Sequence, residues 1–308
     1  MGKILVSVLN LLAWFVYVLP MPLRRGMIDG ISAFLRWLRF REKVIVQNLE
    51  FAYPGESVQD EQARTRLFSA AYDHLAELTL EILLLFGPMK NWVRARSELR
   101  GVENWRAAHA SGKGVLFLSS HVGNWEIMAA TGAQFSEMDL MLVTKHLKPE
   151  WFHEAIEQGR RHCGVRATYE PRTLKDVLRH LKAGGTVGFV QDQYAGPPVG
   201  VRVPFFGVPV GTISAVAVVA KRTGAPVLPV VNYRDPVRGR YVVEIHPPLA
   251  WKTHEDPDFE IAQNTAHYSE VLEGHIRQYP EQWLWTHRRF KGDLSPLREN
   301  EWSSGRSR

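Results

Sequence analysis

The run Leu116-Phe117-Leu118-Ser119-Ser120-His121-Val122-Gly123-Asn124-Trp125-Glu126 concentrates the chemistry of this 308-residue chain. An apolar strand pattern leads into a histidine, a glycine and an asparagine, and an amphipathic helical pattern follows. Ligands of open α/β sheets bind beyond the carboxyl ends of the strands, so His121 falls where function concentrates. An imidazole, with a reference pKa of about 6.5, can take a proton from a hydroxyl. A carboxylate on its other nitrogen fixes the tautomer and supports the imidazolium that forms. Glu126 is too far along for one face of a continuous helix, but a strand-to-helix turn can fold its carboxylate back onto His121. The same residues also fit a histidine satisfied structurally at a strand end.

Other chemistries find less support. No G-x-S-x-G elbow occurs, and Cys163, the single cysteine, lacks a supporting local signature. Ser119 and Ser120 read as local hydrogen-bonding residues. No pair of histidines at i and i+4 brackets a glutamate, so no metal site and no cofactor is expected. Glycines 184, 185, 196, 200, 207 and 211 match neither phosphate-loop pattern.

The elements that must position His121 alternate. Strand patterns fall at residues 115–119, 140–144, 186–190, 226–233 and 241–245. Helical patterns fall at 125–135, 150–161, 172–181, 214–222 and 260–278, behind a long helical stretch at 58–87 that Gly87-Pro88 stops. This alternation predicts an α/β fold with a mixed, largely parallel central sheet flanked by helices. Lys and Arg number 38 against 32 Asp and Glu, a net charge of +6, which suits an anionic partner; no dense basic tract marks a nucleic-acid arm.

Residues 4–20 carry no charge and would reach about 26 Å as a helix, the lower limit for crossing a bilayer. Arg24, Arg25, Arg36, Arg39, Arg41 and Lys43 follow, so the positive-inside bias sets the remainder in the cytoplasm. Pro20 to Arg25 offers no small-residue cleavage site. The stretch reads as an anchor that spans the membrane or lies on it, and residues 31–40 fit an in-plane helix or a solvated one equally. The expected division is an anchor and interfacial helix at 1–43, a folded domain at 44–297 and a polar tail at 298–308.

With the His121 to Glu126 block read, the chain resembles the bacterial lipid A biosynthesis acyltransferases, the late lauroyl/myristoyl transferases of the glycerolipid acyltransferase superfamily. The likeness is distributed from about residue 10 to 291. Asn48-Leu49-Glu50-Phe51-Ala52-Tyr53-Pro54 matches an upstream motif. Asp192-Gln193 follows a strand, then come Val203 to Gly207, Ala225 to Pro229, and the closing block from Pro280 to Phe290.

The resemblance implies an enzyme anchored at the bacterial inner membrane with its catalytic domain on the cytoplasmic face. It would move a fatty acyl chain from an acyl carrier protein thioester to a hydroxyl of a glycolipid, the Kdo-bearing lipid A precursor. His121 would be the general base and Glu126 its orienting carboxylate, with no acyl-enzyme. The family's arginine falls on Arg160 or Arg161, and its aspartate on Asp192. Asn124 and Gln193 join the implied substrate-binding set. Phe205 and Phe206 read as groove lining or as a turn with buried aromatics, and Arg288 and Arg289 as acceptor-phosphate ligands or structural ion pairs. Trp283 and Trp285 fit a membrane-facing rim or the core. Enteric members follow the aspartate with an acidic and aromatic pair, whereas this chain reads Asp192-Gln193-Tyr194-Ala195-Gly196, which leaves acceptor and chain length open. The competing expectations are the same chemistry on a phosphatidylinositol mannoside, a lysophospholipid or an amino-acid lipid, and a lipid-binding relative without catalysis.

Overall fold

The structure, a computed structural model, describes residues 2–55, 57–235 and 237–297. The polar tail expected at 298–308 lies outside the described residues. Three helices open the chain: α1 (Gly2–Val18), α2 (Met21–Trp37) and α3 (Glu42–Ala52). The long α4 (Val58–Leu83) is capped by the Ser57 side chain, which accepts from Asp60 N. It tightens into a 3-10 turn at Leu84–Phe86 before α5 (Met89–Arg96). Strands and helices then alternate: β1 (Ser97–Arg100), α6 (Val102–His109), β2 (Val115–Ser119), α7 (Trp125–Phe135), β3 (Leu140–Val143), α8 (Glu150–His162), β4 (Val165–Thr168), α9 (Thr173–Lys182) and β5 (Thr186–Val190). A hairpin of β6 (Gly200–Phe205) and β7 (Val208–Ile213) precedes α10 (Ala215–Thr223), β8 (Val227–Asp235), β9 (Arg240–Ile245) and α11 (Pro257–Gln278).

The main sheet has seven strands in the order β1-β9-β8-β2-β5-β3-β4. Every neighbouring pair is parallel except β8 with β9. The expected mixed, largely parallel α/β architecture is present, and β2, β5 and α7 keep the limits read from the sequence. Val-Leu-Phe-Leu-Ser of β2 is buried at every position, as a strand covered on both faces requires. Leu116 and Leu118 face α9 and α10, while Val115 and Phe117 face the core that includes α7. The strands without an apolar run in sequence, β1 and β4, are the two sheet edges.

The amino-terminal stretch forms two helices rather than one uninterrupted span. α1 ends at Val18, ahead of the Pro20 that caps α2, and among the described residues no helix is long and apolar enough to cross a membrane. Ala13 and Val16 instead pack into the core with Leu84, Leu85 and Trp92. Asn10 donates to Phe86 O, and Arg24, itself buried, donates to Leu19 O and stacks 4.2 Å over Trp92. The outer face remains apolar: Ile4, Leu11, Phe15 and Val18 of α1, and Leu23, Phe34 and Trp37 of α2, are exposed.

Because β2 carries His121 from the middle of the sheet, its packing sets the site. Leu118→Ala, at a fully buried position, is expected to cost about 2–5 kcal/mol, read as a lowered denaturant midpoint of the detergent-solubilised chain.

Candidate active site

Two adjacent parallel strands end side by side. Ser119 at the end of β2 pairs with Val190 at the end of β5, and Gln191 N donates to Ser119 O at 2.9 Å. The next residues are therefore brought together: His121 beyond β2 and Asp192 beyond β5. Asp192 Oδ1 lies 2.6 Å from His121 Nδ1, and Oδ2 accepts from His121 N at 2.8 Å. The closing block completes the pocket, where Trp283 Nε1 donates to the same Oδ2 at 2.7 Å and Leu284 N donates to His121 O. Gly123 sits at φ 65°, and a Cβ there would meet Asn232 O at 2.4 Å, so the turn after the histidine admits only glycine.

Burial alone would raise the Asp192 carboxyl. His121, through its charge and ring N–H, together with Trp283 Nε1–H and His121 backbone N–H, outweighs that and holds the pKa down at about 2. A carboxylate so ionised only accepts, so His121 Nδ1 carries hydrogen and the Nε2 lone pair is left for other donors. Gln193 Nε2 lies 3.1 Å from it. The His121 side chain retains 12% exposure against 1% for Asp192, which leaves the ring reachable and its partner enclosed. The His287 ring lies 6.4 Å away and nearly parallel; burial, reinforced by the charge of His121, lowers its pKa to about 4, so it stays neutral.

The carboxylate on His121 is thus Asp192, and the expectation that Glu126 orients the imidazole is corrected. Glu126 is buried and takes a two-point ion pair from Arg160, at 2.9 Å from Nε and 2.5 Å from Nη2. Arg160 Nη1 also reaches Glu157 at 2.7 Å. Burial works against the guanidinium charge, but Glu126 and Glu157 more than offset it and its pKa rises. Between Arg160 and Arg161, the buried partner is Arg160; Arg161 is exposed. Asn124 caps α7, accepting from Glu126 N and Ile127 N, and donates to Glu81 Oε2 at 3.1 Å. Glu81 also accepts from Tyr241 OH. Its burial, only partly countered by those two hydrogen bonds, raises its pKa from 4.5 to about 7.

The remaining expected residues lie apart from the imidazole. Phe206 and Gly207 form the two-residue β6–β7 turn, both with positive φ. The rings of Phe205 and Phe206 are buried against Trp283, so they meet the site only through that indole. Arg289 is wholly buried, donating to Gly211 O and Thr212 Oγ1, and the acceptor-phosphate expectation is corrected for it; Arg288 is exposed. Trp283 and Trp285 are core residues. Sequence reasoning missed the role of Trp283 and the nearness of His287, for which their shared closing block was the only signal.

A buried Asp192 carboxylate on the His121 ring, at the carboxyl edge of a mostly parallel sheet, is the arrangement that acid–base chemistry uses. The model of the bacterial lipid A biosynthesis acyltransferase family matches residues 2–292, and the chain belongs to that family: it is an acyltransferase of lipid A biosynthesis. The chain is 27% identical over 283 residues to the lipid A biosynthesis lauroyltransferase of Escherichia coli, covering 90% of this chain and 88% of that protein. It is 26% identical over 281 residues to the lipid A biosynthesis palmitoleoyltransferase of the same organism, with the same coverage. A lipid A biosynthesis acyltransferase of Haemophilus influenzae is 25% identical over 77% of this chain and 72% of its own length.

Asp192→Asn is expected to lower acyl transfer by about 10²–10⁴-fold and to lower the unfolding midpoint as well, because the amide turns a donor toward one of the donors that the carboxylate accepts. Arg160→Met leaves Glu126 and Glu157 buried without their cation, and is expected to cost about 3–5 kcal/mol of stability in the same denaturation assay. Glu81 sets a pH dependence of known sign. Its folded pKa lies above its unfolded value, so the stability from its protonated form is full below 4.5 and lost as pH rises through about 7. Melting temperatures of the wild type relative to Glu81→Gln should fall across that window.

Proposed function

We propose that this enzyme moves a fatty acyl chain from an acyl carrier protein thioester to a hydroxyl of a saccharide lipid, most simply the Kdo-bearing lipid A precursor, by general-base catalysis at His121. The observation that carries the reading is the His121 ring itself, tied at Nδ1 to buried Asp192 while the side chain keeps 12% exposure. The acceptor hydroxyl gives its proton to Nε2 as its oxygen attacks the thioester carbonyl. The tetrahedral intermediate then expels sulfur, which takes the proton back from Nε2; one C–O bond forms and one C–S bond breaks. Asp192 stabilises the transient imidazolium without taking its proton. Gln193, whose Nε2 stands 3.1 Å from His121 Nε2, must yield that position to the acceptor hydroxyl.

Glu126 acts in this scheme through position. With Asn124 and Arg160 it fixes the start of α7 directly behind the histidine turn. The apolar void under α7, lined by Phe117, Met128, Gly132, Leu140, Gly188 and Val230, has room for about one water molecule and is too small for a fatty acyl tail as it stands. Relatives named for lauroyl and palmitoleoyl transfer support an acyl donor of that class.

Residues 1–43 serve as a membrane-attachment unit on the catalytic domain at 44–297. The exposed apolar faces of α1 and α2 lie in the acyl boundary, and exposed Arg25, Arg36, Arg39, Arg41 and Lys43 meet anionic headgroups. This sets the enzyme on the cytoplasmic leaflet of the bacterial inner membrane, where a water-soluble acidic carrier meets a membrane-bound acceptor.

The test is mass spectrometry of lipid products after incubation with a panel of acyl carrier protein thioesters and the Kdo-bearing precursor. A gain of one acyl chain, lost in His121→Ala, is the expected result. Gain only on other membrane lipids would replace the acceptor, and no transfer to any lipid would overturn the reaction.

A further inference from the structure

We infer that His146, Glu150 and His153 form a binding site for a divalent transition-metal ion, Zn²⁺ or a surrogate such as Co²⁺, separate from the acyl-transfer chemistry. His146 lies in the loop after β3, Glu150 opens α8, and His153 sits one turn further along. A ligand atom from each of the three lies within 4.8 Å of the other two, and His146 Nε2 is 3.2 Å from Glu150 Oε2. Two imidazole nitrogens and one carboxylate oxygen are a borderline-soft donor set of the kind that holds Zn²⁺, Co²⁺ or Ni²⁺ and leaves positions for water.

Tetrahedral coordination at Zn–N and Zn–O lengths of about 2.1 Å sets ligand atoms roughly 3.4 Å apart, so closure needs only modest side-chain rotation. The geometry allows it. The His146 and Glu150 side chains are 41% and 64% exposed, whereas His153 is buried and steadied by the edge-on ring of Tyr169 at 4.8 Å.

A plain His–Glu ion pair one helical turn apart accounts for two of these residues but not for the third. The His146 and His153 ring centroids are 3.9 Å apart. Leu147 N donates a long hydrogen bond, 3.5 Å, to His153 Nδ1. The spacing differs from a pair of histidines bracketing a glutamate on one helix, because one histidine precedes the helix and the glutamate is itself a ligand.

Bound metal would clip the β3–α8 loop to α8, the helix whose Arg160 holds Glu126. The site stands beyond the carboxyl ends of β3 and β4, on the same rim of the sheet as His121 but toward the β4 edge.

The experiment uses the untagged, detergent-solubilised full chain, stripped with chelator and titrated with Co²⁺. Expected are visible d–d bands saturating at one equivalent, displaced by Zn²⁺ but not by Mg²⁺, which prefers all-oxygen ligands. His146→Ala and Glu150→Gln alter only exposed side chains and should keep the fold. The His146 variant should weaken binding at least a hundredfold, beyond the roughly 10–100-fold that outer-shell losses cost. His153→Ala should abolish the bands. Absence of one-equivalent binding, or binding unchanged in His146→Ala, overturns the assignment.

Discussion

A single buried carboxylate organises this enzyme. Asp192 accepts from the ring of His121, from the backbone of His121 and from the indole of Trp283. Those donors come from two stretches, the turn after β2 and the closing block, far in sequence from each other and from the segment after β5 that carries Asp192. An ionised carboxylate in the interior is tolerable only when donors surround it. Pairing β2 with β5 consequently brings His121 and Asp192 together. The parallel pairing of β2 with β5 fixes where the two strand ends lie, and the closing block seals the carboxylate from water.

Behind that carboxylate lies a second polar layer, which holds α7. Asn124 satisfies the first amides of the helix and reaches back to Glu81, while Glu126 is clamped by Arg160 from α8. The layer joins three helices, α4, α7 and α8, through side chains that are almost wholly buried. Truncating any one member leaves a charge or donor without a partner, which makes the layer rigid and its start of α7 well defined. Arg24, buried beside Trp92 at the base of α2, connects this interior to the helices whose outer faces are apolar. The amino-terminal helices and the start of α7 thus share one core cluster.

Much of this was legible in the sequence where the signal is local. The apolar runs of β2 and β5, the amphipathic period of α7 and the histidine at a strand end are short-range patterns, and each appears where expected. The partner of His121 was not legible, because strand order is a long-range property. Glu126 is near in sequence and Asp192 is near only through the β2–β5 pairing. The choice between Arg160 and Arg161 was legible in principle: Ile156 and Arg160 are one turn apart on the buried face of α8, and Arg161 falls off it. Edge strands β1 and β4 lack apolar runs because each is covered less completely, and Arg289 resembled a surface cation because nothing local signals that β7 encloses it.

The central claim is that Asp192 holds His121 with Nδ1 protonated and Nε2 free to act as base. ¹⁵N NMR of imidazole-labelled full-length protein in detergent micelles, with Asp192→Asn beside the wild type, tests it most directly. At a pH where the ring is neutral, the His121 signals should report a protonated Nδ1 and an unprotonated Nε2, and the preference should be lost in the variant. A ring protonated at Nε2, or a tautomer indifferent to Asp192→Asn, would contradict it.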